Sequence, residues 1–189
     1  GYPKLELTFD WSSNDKMATV GIKQTQKSDK KNEELLFKIP FFLEFYYKNS
    51  KEKFYIEIKS DKEKFCFHLK NKPLFFRIDP DYECPCKVVV SDVPRHMFYE
   101  QLKRDLDPIG RIEAALALTK NSSTEDVNIL GERLKKEKEW GVAVRVAKAL
   151  GKIGGNDARD YLIKGLKNSD HKIRKGIISA LGNFCHDEK

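Results

Sequence analysis

The sequence lacks an apolar run approaching the roughly 20 residues that a membrane-spanning helix needs, and it carries no signal-peptide pattern and no initiator Met. Its opening Gly1-Tyr2-Pro3 reads as the start of a piece of a longer protein. Only four cysteines occur, Cys66, Cys84, Cys86 and Cys185, too few for a disulfide scaffold. Cys84-Pro85-Cys86 is the single close pair, with one intervening residue where zinc and redox motifs have two, so it reads as free thiols in a loop. Cys66, between Phe65 and Phe67, is expected to be a buried thiol on a strand. Free thiols fit a reducing, cytoplasmic setting.

The four histidines, His68, His96, His171 and His186, form no His-x-x-x-His pair. His68 alternates with apolar residues and should face solvent. No glycine-rich loop follows a strand, as phosphate and dinucleotide cradles require. Gly151-Lys152-Ile153-Gly154-Gly155 follows a helical stretch instead. Asp79-Pro80-Asp81 is the densest acidic cluster, and a turn accounts for it. The sequence therefore offers no catalytic residue, no cofactor-binding residue and no metal ligand. Excess charge of one sign is also weak. The net +7 divides into +3 over residues 1–95 and +4 over residues 96–189, with acids interleaved throughout. That spread makes nucleic acid an unfavoured partner.

What the sequence does contain falls into two halves with different periods. Alternating runs begin at Leu5-Glu6-Leu7-Thr8-Phe9-Asp10-Trp11 and Ala18–Gln26. They continue through Phe37–Tyr47, Phe54–Lys59, Lys64–Leu69 and Leu74–Ile78, divided by polar links at Ser12–Lys16, Ser28–Glu34 and Lys48–Glu52. Short strands at this spacing predict an antiparallel β-sandwich over 1–92. Pro40 cannot donate to a ladder and should mark an edge or a bulge. Aromatics occupy both phases of Phe41–Tyr47 and of Phe75-Phe76, so one outer face of the sandwich should be covered by the helices or by a further domain.

From about Pro94 the period becomes helical. Helices are expected over 94–105, 108–119, 124–138, 140–152, 157–167 and 170–184. Asp107-Pro108 reads as a cap followed by Pro at the first turn, and Asn156 and Asp170 offer similar caps. Met97, Phe98 and Leu102 should face inward and touch the sandwich. Ala117-Leu118, Ala149-Leu150 and Ala180-Leu181 recur at intervals of 32 and 31, as do Ala114, Val146 and Ile177, and Arg111, Ala143 and Arg174. Leu130 and Leu134 match Leu162 and Leu166 at the same interval. Two amphipathic helices per unit of this length predict an α-α superhelix, a HEAT-like solenoid, over 93–189.

Gly1-Tyr2-Pro3 leading into Leu5-Glu6-Leu7 resembles the entry to the third domain of zinc aminopeptidases of the aminopeptidase N type. Val20-Gly21-Ile22-Lys23-Gln24-Thr25-Gln26 resembles that domain's second strand, where a Gln is common, and Phe37-Lys38-Ile39-Pro40 its Phe-x-x-Pro strand. Lys72-Pro73-Leu74 and Ile78-Asp79-Pro80 resemble its end. In that family a HEAT-like array follows. The family's His-Glu-x-x-His zinc helix and Gly-x-Met-x-Asn segment are absent from this sequence and belong to an earlier domain. The resemblance implies a noncatalytic C-terminal fragment that packs against the catalytic domain of the same parent chain and limits access of its peptide substrate. Zinc is expected in that parent and not here. The alternative is a protein-interaction scaffold, such as an inactive relative acting in transcription initiation, with a partner on the concave helical face.

Overall fold

The structure, a computed structural model, describes residues 2–26 and 36–186. The expected link Ser28–Glu34 lies outside the described residues, as do the side chains of Cys185 and His186. Among the described residues are seven strands: β1 Lys4–Ser12, β2 Met17–Gln24, β3 Ile39–Tyr46, β4 Lys51–Ile58, β5 Lys62–His68, β6 Phe75–Ile78 and β7 Lys87–Asp92. Six helices follow: α1 Arg95–Arg104, α2 Pro108–Ala117, α3 Thr124–Lys136, α4 Trp140–Ile153, α5 Gly155–Gly165 and α6 His171–Leu181, the last running into a 3-10 turn at Gly182–His186. The chain divides into two compact units, Gly1–Met97 and Phe98–Lys189. Among the described residues, no helix is long and apolar enough to cross a membrane.

In the first unit, sheets of order β5-β2-β1-β7 and β4-β3-β6 enclose one apolar core. Period-two alternation decides which residues enter it. Leu5, Leu7 and Phe9 point inward from β1, and Phe41, Leu43 and Phe45 from β3. Rings from the two sheets meet there, with Phe45 and Phe67 5.2 Å apart between centroids and Phe9 and Phe76 5.1 Å apart. Met97 is 1% exposed and belongs to this core. Phe98 and Leu102 pack among the helices of the second unit. Gln24 closes the end of β2. Its side chain donates to the Phe37 and Ser60 carbonyls at 2.8 and 3.1 Å and accepts from the Phe37 N–H at 3.0 Å.

Two sequence expectations need correction in this unit, the strand direction and Cys66, while the edge expected at Pro40 is met locally. The sheets are not wholly antiparallel, because β7 runs parallel to β1, pairing Leu5 with Val88. That strand left no trace in the alternation because Val88 and Val89 are both exposed at a sheet edge, where neither phase is committed to a core. Cys66 is exposed, not buried. The phase of β5 points Phe65 and Phe67 inward, which turns Cys66 and His68 out. Pro40 sits on β3, the central strand of its sheet, with no bulge in the β3–β4 register. Among the described residues β6 pairs only with Leu43–Tyr46, so Pro40 stands where β3 is paired on one side, by β4, and its missing N–H is tolerated there.

In the second unit, α2, α4 and α6 lie side by side and α3 and α5 form a second layer on them. The in-register residues meet in one core: Ala114, Val146 and Ile177 are fully buried, as are Leu118, Leu130, Leu150 and Leu162. Small residues set the spacing. A Cβ on Gly151 would stand 2.8 Å from the Ala180 carbonyl oxygen, and one on Gly176 2.6 Å from Val144 Cγ2. Gly151→Val should therefore push α4 from α6 and cost roughly 1–3 kcal/mol in chemical denaturation, since a backbone atom cannot give way like a side chain. The Asp107 and Asp170 caps are present, their carboxylates accepting from Ile109 N at 2.9 Å and Lys172 N at 2.7 Å. Asn156 is not a cap. It lies inside α5, which begins at Gly155, and Gly154, at φ 76°, serves both as the end of α4 and the cap of α5.

Candidate functional site

A second periodicity, in polar residues, underlies the helical unit. Asp105, Glu137 and Asn168 stand before α2, α4 and α6, 32 and 31 residues apart. Each turns its side-chain oxygen onto the N–H two residues ahead. The distances are 3.0 Å to Asp107, 3.0 Å to Glu139 and 2.9 Å to Asp170. Arg111 and Arg174 fold back identically, donating from Nη1 to the Asp105 and Leu106 carbonyls (2.9 and 3.1 Å) and to those of Asn168 and Ser169 (2.8 and 2.7 Å). Ala143 in the middle turn cannot do this.

Glu137 takes the spare donors of Arg111 instead. Arg111 Nε and Nη2 donate to its carboxylate at 3.0 and 3.3 Å, and Arg133 donates from Nε at 2.8 Å and also from Nη2. The Lys138 and Glu139 N–H groups complete the shell at 3.0 Å each. The Glu137 side chain is 2% exposed and that of Arg111 8%. Burial alone would raise the Glu137 pKa, but the Glu139 N–H and the Arg133 and Arg111 guanidinium groups outweigh it and hold the carboxyl below its ordinary value of 4.5. With every acceptor satisfied and both neighbours cationic, this carboxylate is a structural clamp and not a proton donor or acceptor for chemistry.

The outer face of the three-stranded sheet holds another buried carboxylate, Glu44. Glu44 accepts from Lys51 Nζ at 2.9 Å on both oxygens and from the Tyr46 hydroxyl at 2.6 Å. Tyr46 stacks on Phe75 at 4.4 Å, Lys53 Nζ lies 4.2 Å above the Phe42 ring, and Arg77 donates to the Tyr82 hydroxyl. Among these side chains Glu44 is 1% exposed, and Phe75, which belongs to the apolar core cluster, is 2% exposed, while Tyr55 at the edge stays 63% exposed. Beyond β6, Asp79 takes a left-handed φ of 47° and its carboxylate accepts the Glu83 and Cys84 N–H groups at 2.9 Å, which makes the acidic cluster a turn.

That turn delivers Cys84 and Cys86. Burial pushes both thiols up, Cys86 to about 12, so both are protonated at neutral pH and are poor nucleophiles and poor metal ligands. Alkylation of the folded protein at pH 8 should label Cys86 far more slowly than the urea-unfolded protein, as read by peptide mass mapping. Among the described residues no group of three or more His, Cys, Asp or Glu could hold a metal ion. His68 is exposed at the end of β5, His96 lies on α1 and His171 opens α6, in three different elements.

Charge in the helical unit is sorted by layer, which the linear sequence concealed. Helices α3 and α5 balance their acids and bases. Helices α4 and α6 contain Arg145, Lys148, Lys152, Lys172, Arg174 and Lys175 and no acid, and α2 adds Arg111 against Glu113. Arg111 and Arg174 are committed to the turns. The remaining cations project from the exposed faces of α4 and α6.

Residues 97–187 match the family model for HEAT repeats. No curated protein matches the chain. Among solved structures, the chain is similar to aminopeptidase A of Legionella pneumophila, crystallised in complex with aspartic acid, with a TM-score of 0.59 at 13% sequence identity. The match covers 97% of this chain and 28% of the aminopeptidase chain. At that identity the likeness is one of fold: a β-sandwich followed by HEAT-like helical repeats. This chain spans little more than a quarter of that enzyme's length.

Proposed function

We propose that this chain is the noncatalytic C-terminal portion of an aminopeptidase N-like zinc metallopeptidase, packing against a catalytic domain and limiting peptide access to it. The observation that carries the reading is the fold match, which takes in nearly all of this chain but little over a quarter of an aminopeptidase. The order of sandwich and helices agrees with the resemblance in Gly1-Tyr2-Pro3 and Phe37-Lys38-Ile39-Pro40. Free thiols at Cys66, Cys84 and Cys86 support a reducing, cytoplasmic location. The test is metal analysis and aminoacyl-fluorophore hydrolysis on the purified chain with added zinc. No stoichiometric zinc and no turnover are expected, and turnover would overturn the reading.

A second reading, an interaction scaffold, is favoured by one observation: the uncompensated cations on the exposed layer of α4 and α6. A scaffold should capture a partner with the isolated chain, whereas a peptidase segment should associate chiefly with its own catalytic domain.

A further inference from the structure

We propose that the face formed by α2, α4 and α6 is a docking surface for an acidic protein segment bearing apolar side chains. Arg145, Lys148 and Lys152 stand three and four residues apart, which aligns them along one exposed stripe of α4. Lys172 and Lys175 do the same on α6. The two stripes adjoin, because Gly176 of α6 packs beneath Val144 of α4 and Lys172 Nζ lies 4.8 Å from the Trp140 ring centroid. Among the described residues, none of these five cations is held in an ion pair, while the cations of α3 pair with Glu132 and Glu137. Like charges crowded on neighbouring helices repel one another, and an anionic partner relieves that repulsion.

Apolar groups select among anions. Leu116 on α2, Trp140 on α4 and Ile178 on α6 are 49%, 49% and 61% exposed on the same layer. A phosphate backbone would satisfy the cations and leave these side chains in water. A segment with carboxylates and apolar side chains in helical alternation buries them and pairs the cations together. The proposal concerns this chain's own surface and does not depend on the peptidase reading.

The experiment titrates the full chain with a synthetic helical peptide carrying Glu and Leu at alternate faces, and in parallel with a single-stranded DNA of equal charge, by fluorescence anisotropy at physiological salt. Saturable binding of the peptide is expected, tighter than that of the DNA. Arg145→Glu with Lys148→Glu should weaken it roughly tenfold or more, and Ile178→Ser should weaken it about threefold. Lys135→Glu with Lys136→Glu on α3 should leave it unchanged. If the α4 reversal perturbs helicity or Tm, Lys172→Gln with Lys175→Gln on α6 serves as the measure. Absence of peptide binding, insensitivity to the α4 and α6 changes, or tighter binding of the DNA would each overturn the proposal, the last by assigning the face to nucleic acid.

Discussion

Glu137→Ala is expected to destabilise the helical unit by about 3–5 kcal/mol, the scale for removing one partner of a buried ion pair. The carboxylate does three jobs that alanine cannot. It neutralises Arg111, whose side chain is 8% exposed, it anchors Arg133, and it accepts the N–H groups of Lys138 and Glu139 at the entry to α4. Without it the Arg111 charge is left buried with only the carbonyls of Asp105 and Leu106 as partners. Helix α4 has no side-chain cap of its own to compensate. The loss should also depend on pH. Because the folded carboxyl sits below 4.5, the unfolded chain takes up its proton first as pH falls. The stabilisation is complete above that value and disappears as pH drops through the folded pKa. Urea denaturation at pH 7 and at decreasing pH below 4.5 should show wild type and variant converging. A loss under about 1 kcal/mol at pH 7 would mean that the clamp is not worth what a buried pair is worth.

Phe45→Ala should cost about 3–5 kcal/mol in the sandwich unit. Phe45 is fully buried, and its ring meets Phe67 of the opposite sheet at 5.2 Å, Phe54 at 5.8 Å and Phe76 at 6.3 Å. Truncation leaves a cavity among three rings held by separate strands, which cannot all collapse into it. Hydrogen exchange should report the loss in the amides of β3, β4 and β6. Phe45→Leu, which keeps most of the volume, should lose markedly less. Equal losses for the two would show that the ring contacts carry little.

The helical array was legible because stacking forces identical burial at identical positions, so Ala114, Val146 and Ile177 had to repeat. The helices lie within a few residues of where that period placed them. The polar repeat Asp105, Glu137 and Asn168 was equally present but harder to see. Three residue types perform one task there, accepting the N–H two positions on, and chemistry and not identity is what recurs. Strand β7 escaped because an exposed edge strand has no inward phase. Cys66 is exposed because alternation puts its aromatic neighbours Phe65 and Phe67 on the opposite face, so their apolar character says nothing of its own surroundings.

The cationic layer was invisible for a different reason. Net charge along the chain is nearly even, and the imbalance appears only once α2, α4 and α6 are seen to share a side while α3 and α5 lie on the other. The outer face of the three-stranded sheet was legible as aromatic crowding, but not the buried Glu44 at its centre. Nothing in a period of two distinguishes a carboxylate that reaches water from one held by Lys51 and Tyr46.

The most direct test of the account is the reading frame upstream of Gly1. The proposal predicts several hundred codons in frame, encoding a His-Glu-x-x-His helix with a downstream Glu and a Gly-x-Met-x-Asn segment. A start codon placed immediately before Gly1, or an upstream region without that zinc motif, would contradict the claim that this chain is the C-terminal wall of a zinc aminopeptidase.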